Sequence, residues 1–183
     1  MKKRKMRVRD ITETALFAAV ICVLAPLAVP VGPVPVTLAT LGVYLAAAVL
    51  GPARGTAAVA VYILLGAAGV PVFSAGNAGV SYLAGATGGY IIGYLPLAFI
   101  TGFVARVDRL GEARAPIGMV LGTAALYLLG TAWFAFVTDY TFVSALPVCV
   151  IPFLPGDALK AVAVSVVAPA IRRGIAAVSY ERA

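Results

Sequence analysis

The chain has 183 residues, of which 62% are hydrophobic and 11% are charged, and its formal net charge at pH 7 is +7. A soluble domain carries about 25% charged residues, so this composition excludes an ordinary soluble domain and predicts an all-α integral membrane protein. The sequence contains no histidine, which excludes serine-protease-type triads and the usual zinc ligand set. Its two cysteines, Cys22 and Cys149, lie in apolar segments at unlike predicted depths. We interpret them as packing residues and not as a disulfide or a metal pair.

Six hydrophobic segments of spanning length are predicted along the chain. A helix crosses the hydrocarbon core of a membrane with about 20 residues. Prolines, glycines and one charged stretch separate the segments from one another. The predicted spans cover residues 11–29, 34–50, 55–72, 88–105, 116–138 and 155–172. Together they form one six-helix membrane domain, 11–172, between a basic tail, 1–10, and a C-terminal tail, 173–183.

The basic residues alternate between the two sides of these predicted spans. Thirteen of the 14 Lys and Arg residues fall in the N-terminal tail, in the connections after spans two and four, or at the C-terminal end. The three opposite connections contain none. Cytoplasmic loops carry an excess of Lys and Arg, so we predict a multi-pass plasma-membrane protein with both termini in the cytoplasm. Topology thus accounts for the positive charge, and no nucleic-acid partner is expected.

Two connections on the predicted outer side have unusual compositions. Residues 73–87 carry no charge and are rich in Gly, Ser, Asn and Thr, which is typical of a functional loop such as a lid. A flexible loop that merely caps the bundle is the alternative. Residues 139–154 are almost wholly apolar after Asp139, and Pro147 and Pro152 leave them too short for another span. We expect them to lie on the membrane surface or to fold over the outer end of the bundle.

The only basic residue outside the predicted cytoplasmic segments is Lys160, one helical turn after Asp157 at the start of the sixth span. An acid and a base placed i,i+3 inside a span are costly, so they mark a functional site by default. The alternative is structural. In that interpretation Asp157 gains from the positive end of the helix dipole, and the Lys160 side chain extends to the membrane interface.

Several missing features narrow the class of function. The chain has no G-x-x-x-x-G-K-[ST] phosphate loop, so it is not expected to hydrolyse ATP by the common P-loop route. No other carboxylate is predicted deep in a span, whereas ion-coupled transporters generally have more intramembrane acids. The sequence also lacks the paired or clustered catalytic acids that an intramembrane hydrolase or a lipid-modifying enzyme needs. These absences argue against an enzyme.

Two pairs of small residues have the spacing that lets membrane helices pack closely. Ala15 and Ala19 form such a pair in the first span, and Gly89 and Gly93 form one in the fourth. In a chain this rich in Ala and Gly, pairs of this kind also arise by chance. Alone they are therefore a weak indication of a packing surface.

Five sequence blocks together resemble one known family in their order and spacing. They are GPVPVTL at 32–38, LGPARG at 50–55, LGAAGVPVF at 65–73, GATGGY at 85–90 and LPGDALK at 154–160. With these blocks the chain resembles the BioY family, the biotin-specific substrate-capture (S) component of energy-coupling-factor (ECF) transporters. The resemblance implies a six-helix S-component bundle that captures biotin from outside with high affinity and needs no cofactor. It also implies a membrane coupling protein and two ATPase subunits as partners, with Ala15 and Ala19 on the docking face.

The resemblance and the chemistry of biotin together suggest the binding residues. Biotin has a ureido ring with two N–H donors and one C=O acceptor, an apolar thioether ring and a carboxylate tail. Asp157 suits a ureido N–H because an ionised carboxylate only accepts hydrogen bonds. Lys160 only donates, either to the ureido oxygen or to the carboxylate of biotin. The other predicted contacts come from Asn77, Tyr90, Tyr82 and Thr37.

The chain departs from the family pattern at two positions. It has Ala39 where the family often has Gln, and Ala86 where the family often has Pro. The first difference removes one polar contact, and neither affects Asp157 or Lys160. An S-component for another small vitamin and a solitary biotin transporter are the alternative functions, and a membrane enzyme or a structural bundle is a more distant one.

Overall fold

The computed structural model describes residues 7–30, 33–107 and 114–180. Most of these residues are helical. The helices are α1 Val8–Leu24, α2 Ala39–Leu50, α3 Pro52–Ala67, α4 Val80–Ala84, α5 Gly88–Val104, α6 Arg114–Val137, α7 Phe142–Cys149 and α8 Leu154–Tyr180. Two short strands, β1 Ala28–Val29 and β2 Val36–Thr37, form an antiparallel ribbon. The first residues of the predicted basic tail, Gly32 of the first family block, Arg109 in the charged connection and Arg182 lie outside the described residues.

The first two helices are shorter than the predicted spans. Helix α1 ends at Leu24, five residues before the predicted end, and α2 begins at Ala39, five residues after the predicted start. Pro26 explains the first difference, because a proline cannot continue the ladder of helical hydrogen bonds. The segment between the two helices forms the ribbon, which pairs Ala28 with Thr37. The structure therefore corrects the purely α prediction by one small ribbon.

Helix α3 begins and ends with conformations that its sequence favours. Pro52 is its first residue, a position where the missing N–H costs nothing. Helix α3 ends at Ala67, five residues before the predicted end. Gly69 has φ of 103°, and the N–H of Val70 donates to the carbonyl of Leu65 at 3.1 Å. A glycine in the left-handed region with this hydrogen bond is a common helix terminator.

Helix α2 is the central helix of the bundle. Ten of its 12 residues are buried, and α1, α3, α5 and α8 all contact it. A helix that is apolar all round belongs inside a bundle, and the run Ala46–Ala47–Ala48 keeps its neighbours close. Any polar residue at the start of α2 faces the other helices and not lipid.

Glycines let α5 and α6 pack closely along their length. Gly89 of the predicted small pair lies against the Trp133 side chain, and Gly93 lies against Leu126. From the other side, Gly130 lies against the Tyr90 ring. A Cβ at any of the three would come within 2.8 Å of its neighbour or overlap it, so this pair of helices depends on small residues as membrane helices commonly do.

The outer connections contain short ordered elements. Within 73–87 a 3₁₀ turn, Ser74–Gly76, precedes α4. The N–H of Gly79 donates to the carbonyl of Gly66 at 2.7 Å, and Trp133 Nε1 donates to the carbonyl of Gly85 at 2.9 Å. These bonds attach the segment to the ends of α3 and α6.

The apolar segment 139–154 contains α7, which contacts α6. Thr141 caps α7 by accepting from the N–H of Ser144. The Cys149 side chain at its end is fully buried, and both Cys149 and Cys22 are free thiols. Burial raises the pKa of the Cys149 thiol above its ordinary value, because desolvation penalises the thiolate. The structure thus supports the interpretation of Cys149 as a packing residue.

Two of the described helices are long and apolar enough to cross a membrane by length and composition, namely α6 and the Leu154–Ile175 part of α8. Helices α2, α3 and α5 are apolar but have 10–17 residues. Helix α8 continues beyond the predicted end of the sixth span at 172 and reaches Tyr180. Pro169 and Gly174 lie inside α8 without ending it.

Candidate functional site

Asp157 and Lys160 lie together in the first two turns of α8 and are both buried. Asp157 is 5% exposed and Lys160 is 9% exposed. Lys160 Nζ lies 2.8 Å from Asp157 Oδ1. Moving two charges out of water costs several kcal/mol per ion, and the cost is offset only when further hydrogen bonds complete the site. The partners of the two side chains therefore decide what this pair can do.

Two helices and strand β2 surround this ion pair. Thr40 of α2 donates from Oγ1 to Asp157 Oδ1 at 2.9 Å and accepts from Lys160 Nζ at 2.8 Å. Tyr127 of α6 donates its hydroxyl to Asp157 Oδ2 at 2.8 Å. The carbonyl oxygen of Thr37 in β2 accepts from Lys160 Nζ at 2.7 Å. We call these five residues the Asp157 network, and it joins the start of α8 to α2, α6 and the ribbon.

The Asp157 network uses every donor of the ammonium group but leaves the carboxylate one acceptor site. An ammonium has three donors, and those of Lys160 point to Asp157, Thr40 and Thr37. A carboxylate has about four acceptor sites, and described residues occupy three of them. Asp157 can therefore accept an N–H of a bound molecule without losing a bond, whereas Lys160 must exchange a partner. The described part of the chain has no group of three or more His, Cys, Asp or Glu side chains that could hold a metal ion.

Two small cavities adjoin Thr37, each with a volume of about 30 Å³. One of them ends at Asp157 and Lys160, and the other is bounded by Tyr82. Pockets for small organic ligands have volumes of about 300–1,000 Å³, so these two cavities admit such a ligand only when their walls move apart. The residues common to both cavities are Val34, Pro35, Thr37, Tyr90 and Tyr94. A third cavity, of about 260 Å³, is also lined by Asp157 and Tyr127 but opens between α6 and α8.

Three of the residues predicted around the ion pair line these cavities. Thr37 lies between them, and Tyr90 and Tyr82 contribute aromatic surface. The Tyr90 hydroxyl donates to the carbonyl oxygen of Cys149 at 2.8 Å, which fixes the ring. The Tyr82 ring stacks on Phe73 with 5.7 Å between ring centroids. The structure thus brings five predicted residues, including Asp157 and Lys160, to one region.

Asn77 is the predicted binding residue that the structure places apart from the others. Its side chain is exposed, and Nδ2 donates to the carbonyl oxygen of Ser74 at 2.8 Å within the same turn. Asn77 lines neither of the two small cavities. A role for Asn77 in binding stays a prediction that requires this turn to move.

The structure adds three polar residues that sequence reasoning did not find. Thr40 and Tyr127 complete the Asp157 network, and Tyr94 lies beside Thr37 in both cavities. The sequence could have indicated Tyr94, because Tyr94 follows the predicted residue Tyr90 by one helical turn and therefore lies on the same face of α5. Tyr127 had no such signal, since it lies alone in an apolar stretch of α6.

The small residues predicted to form a docking face lie on the surface of α1. Ala15 and Ala19 are both exposed, whereas Phe17, Ala18 and Ile21 on the other side of α1 are buried in the bundle. The face is therefore free for contact with another helix. Docking of a partner on this face is a prediction that the fold leaves possible.

Comparisons with known proteins agree with this arrangement. The BioY family profile matches residues 1–177 of the sequence. The chain belongs to the BioY family. The resemblance predicted from the five sequence blocks is thus confirmed, and the blocks at 32–38 and 154–160 contain Thr37, Asp157 and Lys160 of the Asp157 network.

Individual relatives extend the match to nearly the whole chain. Biotin transporter BioY2 of Lactococcus lactis subsp. cremoris is 36% identical over 166 residues, with 91% of each chain covered. Biotin transporter BioY of Rhizobium etli is 36% identical over 180 residues, which cover 92% of this chain and 96% of the relative. The crystal structure of the S-component for biotin from an ECF-type ABC transporter superposes with a TM-score of 0.84 at 30% identity, covering 91% of this chain and 92% of the other. This BioY-family chain therefore has the S-component fold.

Proposed function

We propose that the chain captures biotin at the outer side of the membrane, with high affinity, as the substrate-specific subunit of an ECF-type ABC transporter. The buried Asp157 network beneath tyrosine-lined cavities carries the proposal, because it offers charged hydrogen-bonding groups to a small polar ring. The relatives named above are biotin transporters, and the solved chain is an S-component for biotin. The chain then acts as a binding subunit without its own ATPase and not as an enzyme.

The groups of biotin match those of the site. A ureido N–H donates to the unused acceptor site of Asp157, since the carboxylate takes one further bond without loss. Lys160 exchanges one of its neutral acceptors for the ureido oxygen or the carboxylate of biotin. The rings of Tyr82 and Tyr90 cover the apolar thioether ring, as aromatic side chains commonly do for amphipathic ligands.

The proposed topology has six spans, formed by α1, α2, α3, α5, α6 and α8, with both termini in the cytoplasm. Arginines collected at one end of the bundle support it: Arg54 pairs with Asp10 and Glu13 at 2.8 Å, and Arg172 donates to the carbonyl of Ala48. Positive charge of this kind marks the cytoplasmic side. The short α2 is compatible with spanning because Thr37 of the ribbon before it lines the cavities, and irregular backbone at membrane depth is tolerated where it lines a cavity.

Cysteine labelling of whole cells tests this orientation. In a chain whose two native cysteines are replaced by Ala, we compare Asp139→Cys in an outer connection with Arg7→Cys at the start of α1. Both positions are exposed. A membrane-impermeant maleimide is expected to label the first variant in intact cells and the second only after the cells are opened. The reverse pattern would contradict the proposed orientation.

Equilibrium binding and uptake test the proposed function. The purified chain in detergent is titrated with labelled biotin, with unlabelled biotin, thiamine and riboflavin as competitors. We expect saturable binding that only biotin displaces. Displacement by thiamine or riboflavin would identify an S-component for another vitamin, and absence of saturable binding to folded protein would contradict vitamin capture.

The uptake arm uses cells that lack biotin uptake and express the chain alone or with an ECF coupling protein and its ATPase pair. We expect uptake to depend on the partners and to fall in an Ala15→Leu/Ala19→Leu variant that still binds biotin. A matched Leu16→Ala variant on the same exposed side of α1 serves as the control. Full uptake by the chain alone would favour a solitary biotin transporter.

A further inference from the structure

Four arginines surround a cleft at the end of the bundle away from the Asp157 network. Arg106, Arg114 and Arg172 line a cavity of about 280 Å³. A second cavity of about 640 Å³ shares Arg114 and Arg172 with the first and is also lined by Arg173. We call these four residues the arginine cleft. It lies where the end of α5, the start of α6 and the last turns of α8 meet.

Among the described residues, the acceptors of two of these guanidinium groups are neutral. Arg106 Nη2 donates to the carbonyl of Leu50 at 2.9 Å, and Arg172 Nη2 donates to the carbonyl of Ala48. These carbonyls lie at the C-terminal end of α2, which carries a partial negative charge from the helix dipole. Arg106 and Arg114 also lie close enough to Arg172 for their charges to repel it. An anion in the cleft would relieve that repulsion.

The nearby acids do not balance the arginine cleft. Asp10 and Glu13 both bind Arg54, each at 2.8 Å. The residues 108–113 contain two acids and one further arginine and lie outside the described structure. Glu13 and Arg54 also line the first cavity. With Arg54 included, five described arginines stand against Asp10 and Glu13, and the sequence net charge of −1 of residues 108–113 lowers the excess from three to two positive charges. The cleft therefore favours a ligand with net negative charge.

An apolar groove leads away from the arginine cleft between α6 and α8. Its lower part is lined by Ala115 and Val166. A further cavity of about 260 Å³ includes Met119, Val120 and Ala161, and its far end is lined by Tyr127 and Asp157 of the Asp157 network. Ala115 and Met119 are one helical turn apart on α6, so the two cavities lie one above the other along the same seam. We call this seam the α6–α8 groove.

The α6–α8 groove is longer than one leaflet of a bilayer, so it has room for an acyl chain that enters at the arginine cleft. Along α8 it runs from Arg172 to Ala158, about 21 Å at 1.5 Å per residue. A leaflet contributes about 15 Å of hydrocarbon, half of a core of about 30 Å. The groove is open to the lipid side, because Val120 is 66% and Val166 73% exposed. A positive site at one end and an apolar groove that extends beyond leaflet depth fit a molecule with an anionic head and an acyl chain.

We propose that the arginine cleft and the α6–α8 groove together bind one anionic phospholipid. Its phosphodiester group lies between Arg114 and Arg172, and one acyl chain lies along the groove. Guanidinium groups suit this role because their planar donors bind phosphate oxygens in pairs. The excess positive charge selects a headgroup with net negative charge over a zwitterionic one, as basic sites beside membrane helices commonly do.

Native mass spectrometry of the full chain in neutral detergent tests the proposal. The probes are phosphatidylglycerol and phosphatidylcholine with the same acyl chains, added at equal concentrations. We expect one tightly retained phosphatidylglycerol, preferred about tenfold or more over phosphatidylcholine. An Arg114→Gln/Arg172→Gln variant is expected to lose this preference, and Arg7→Gln, an exposed arginine outside the cleft, is expected to keep it.

Two further measurements on the wild-type chain test lipid binding even if the double variant does not fold. Phosphatidylglycerols of increasing chain length are compared on the wild-type chain, and retention is expected to rise with chain length. Inorganic phosphate and glycerol 3-phosphate are added as competitors and are expected not to displace the lipid. Displacement by phosphate alone, equal retention of both lipids, or a lipid-free dimer of the chain would each overturn the proposal.

Discussion

An Asp157→Asn variant is expected to bind biotin about 100-fold more weakly than the wild-type chain, because breaking a buried ion pair costs about 3 kcal/mol or more. The amide keeps the size of the side chain but loses its charge. Lys160 then faces Thr40 and Thr37 without its counter-ion. The Tyr127 hydroxyl also loses a charged acceptor. Equilibrium binding of labelled biotin to purified protein measures the loss.

The control for this substitution is Asp139→Asn. It makes the same chemical change in an outer connection, at an exposed residue, and should leave biotin affinity unchanged within about twofold. Thermal unfolding of each variant shows whether it is folded. An Asp157→Asn protein that is folded and binds biotin as the wild type does would sink the assignment of Asp157 to the binding site.

A double variant separates binding from structural support. Asp157→Asn/Lys160→Met removes both charges and leaves no uncompensated ion, so its thermal stability should recover relative to the single variant. If the pair contacts biotin, affinity stays low although stability returns. If affinity recovers together with stability, the pair only supports the fold. That second outcome would favour the structural interpretation of the charges, namely a capping acid with a neighbouring lysine.

Hydropathy and flanking charge predicted helices α5 and α6 well. Helices α5 and α6 agree with the predicted spans 88–105 and 116–138 to within two residues at each end. The ends of these spans are marked in the sequence by the glycines before α5 and by the arginines between the two helices. These glycines and arginines mark the helix ends through local effects on the backbone and on charge, so the sequence alone is sufficient to predict those ends.

The region between α1 and α2 was harder to predict because an apolar extended segment has the same hydropathy as a helix. Residues 28–29 were predicted to be helical and instead pair with 36–37 in the ribbon. Pro26 was the single local sign that α1 ends early. Beside the ribbon, the N–H of Ala75 in the loop 73–87 donates to the carbonyl of Pro26 at 3.2 Å, a contact between distant parts of the chain. No local pattern contains this information.

Only part of the candidate site could be predicted, because the sequence shows local signals and not tertiary contacts. Asp157 and Lys160 are conspicuous because charge is rare in an apolar segment. Thr40 and Tyr127 are 117 and 30 residues from Asp157 in sequence, and a hydroxyl in an apolar helix has no periodic signal. Only the packing of α2 and α6 on α8 identifies them as partners of the carboxylate. Their discovery therefore needed the tertiary structure.

A Gly88→Ala variant is expected to bind biotin about tenfold more weakly while keeping the bundle folded, because overpacking at a tight contact costs about 1–3 kcal/mol. A Cβ on Gly88 would overlap the carbonyl oxygen of Leu83 in α4. Helix α5 is held by close packing on α6, so α4 and the residues 85–87 must yield. Tyr82 lies in α4, and Thr87 lies in the connection after α4. Both residues line the cavity beside Thr37. The substitution therefore moves one wall of the candidate site without removing any polar group.

Gly85→Ala is the matched control for this variant, since it makes the same change in the same connection. Its Cβ would come no closer than 3.3 Å to another atom, the carbonyl oxygen of Tyr82, and Gly85 has φ of −78°, which any residue adopts. We expect near wild-type affinity from Gly85→Ala and reduced affinity from Gly88→Ala at similar thermal stability. Equal affinity in the two variants would mean that the wall formed by α4 does not shape the bound state. The ligand would then depend on the Asp157 network and on Tyr90 alone.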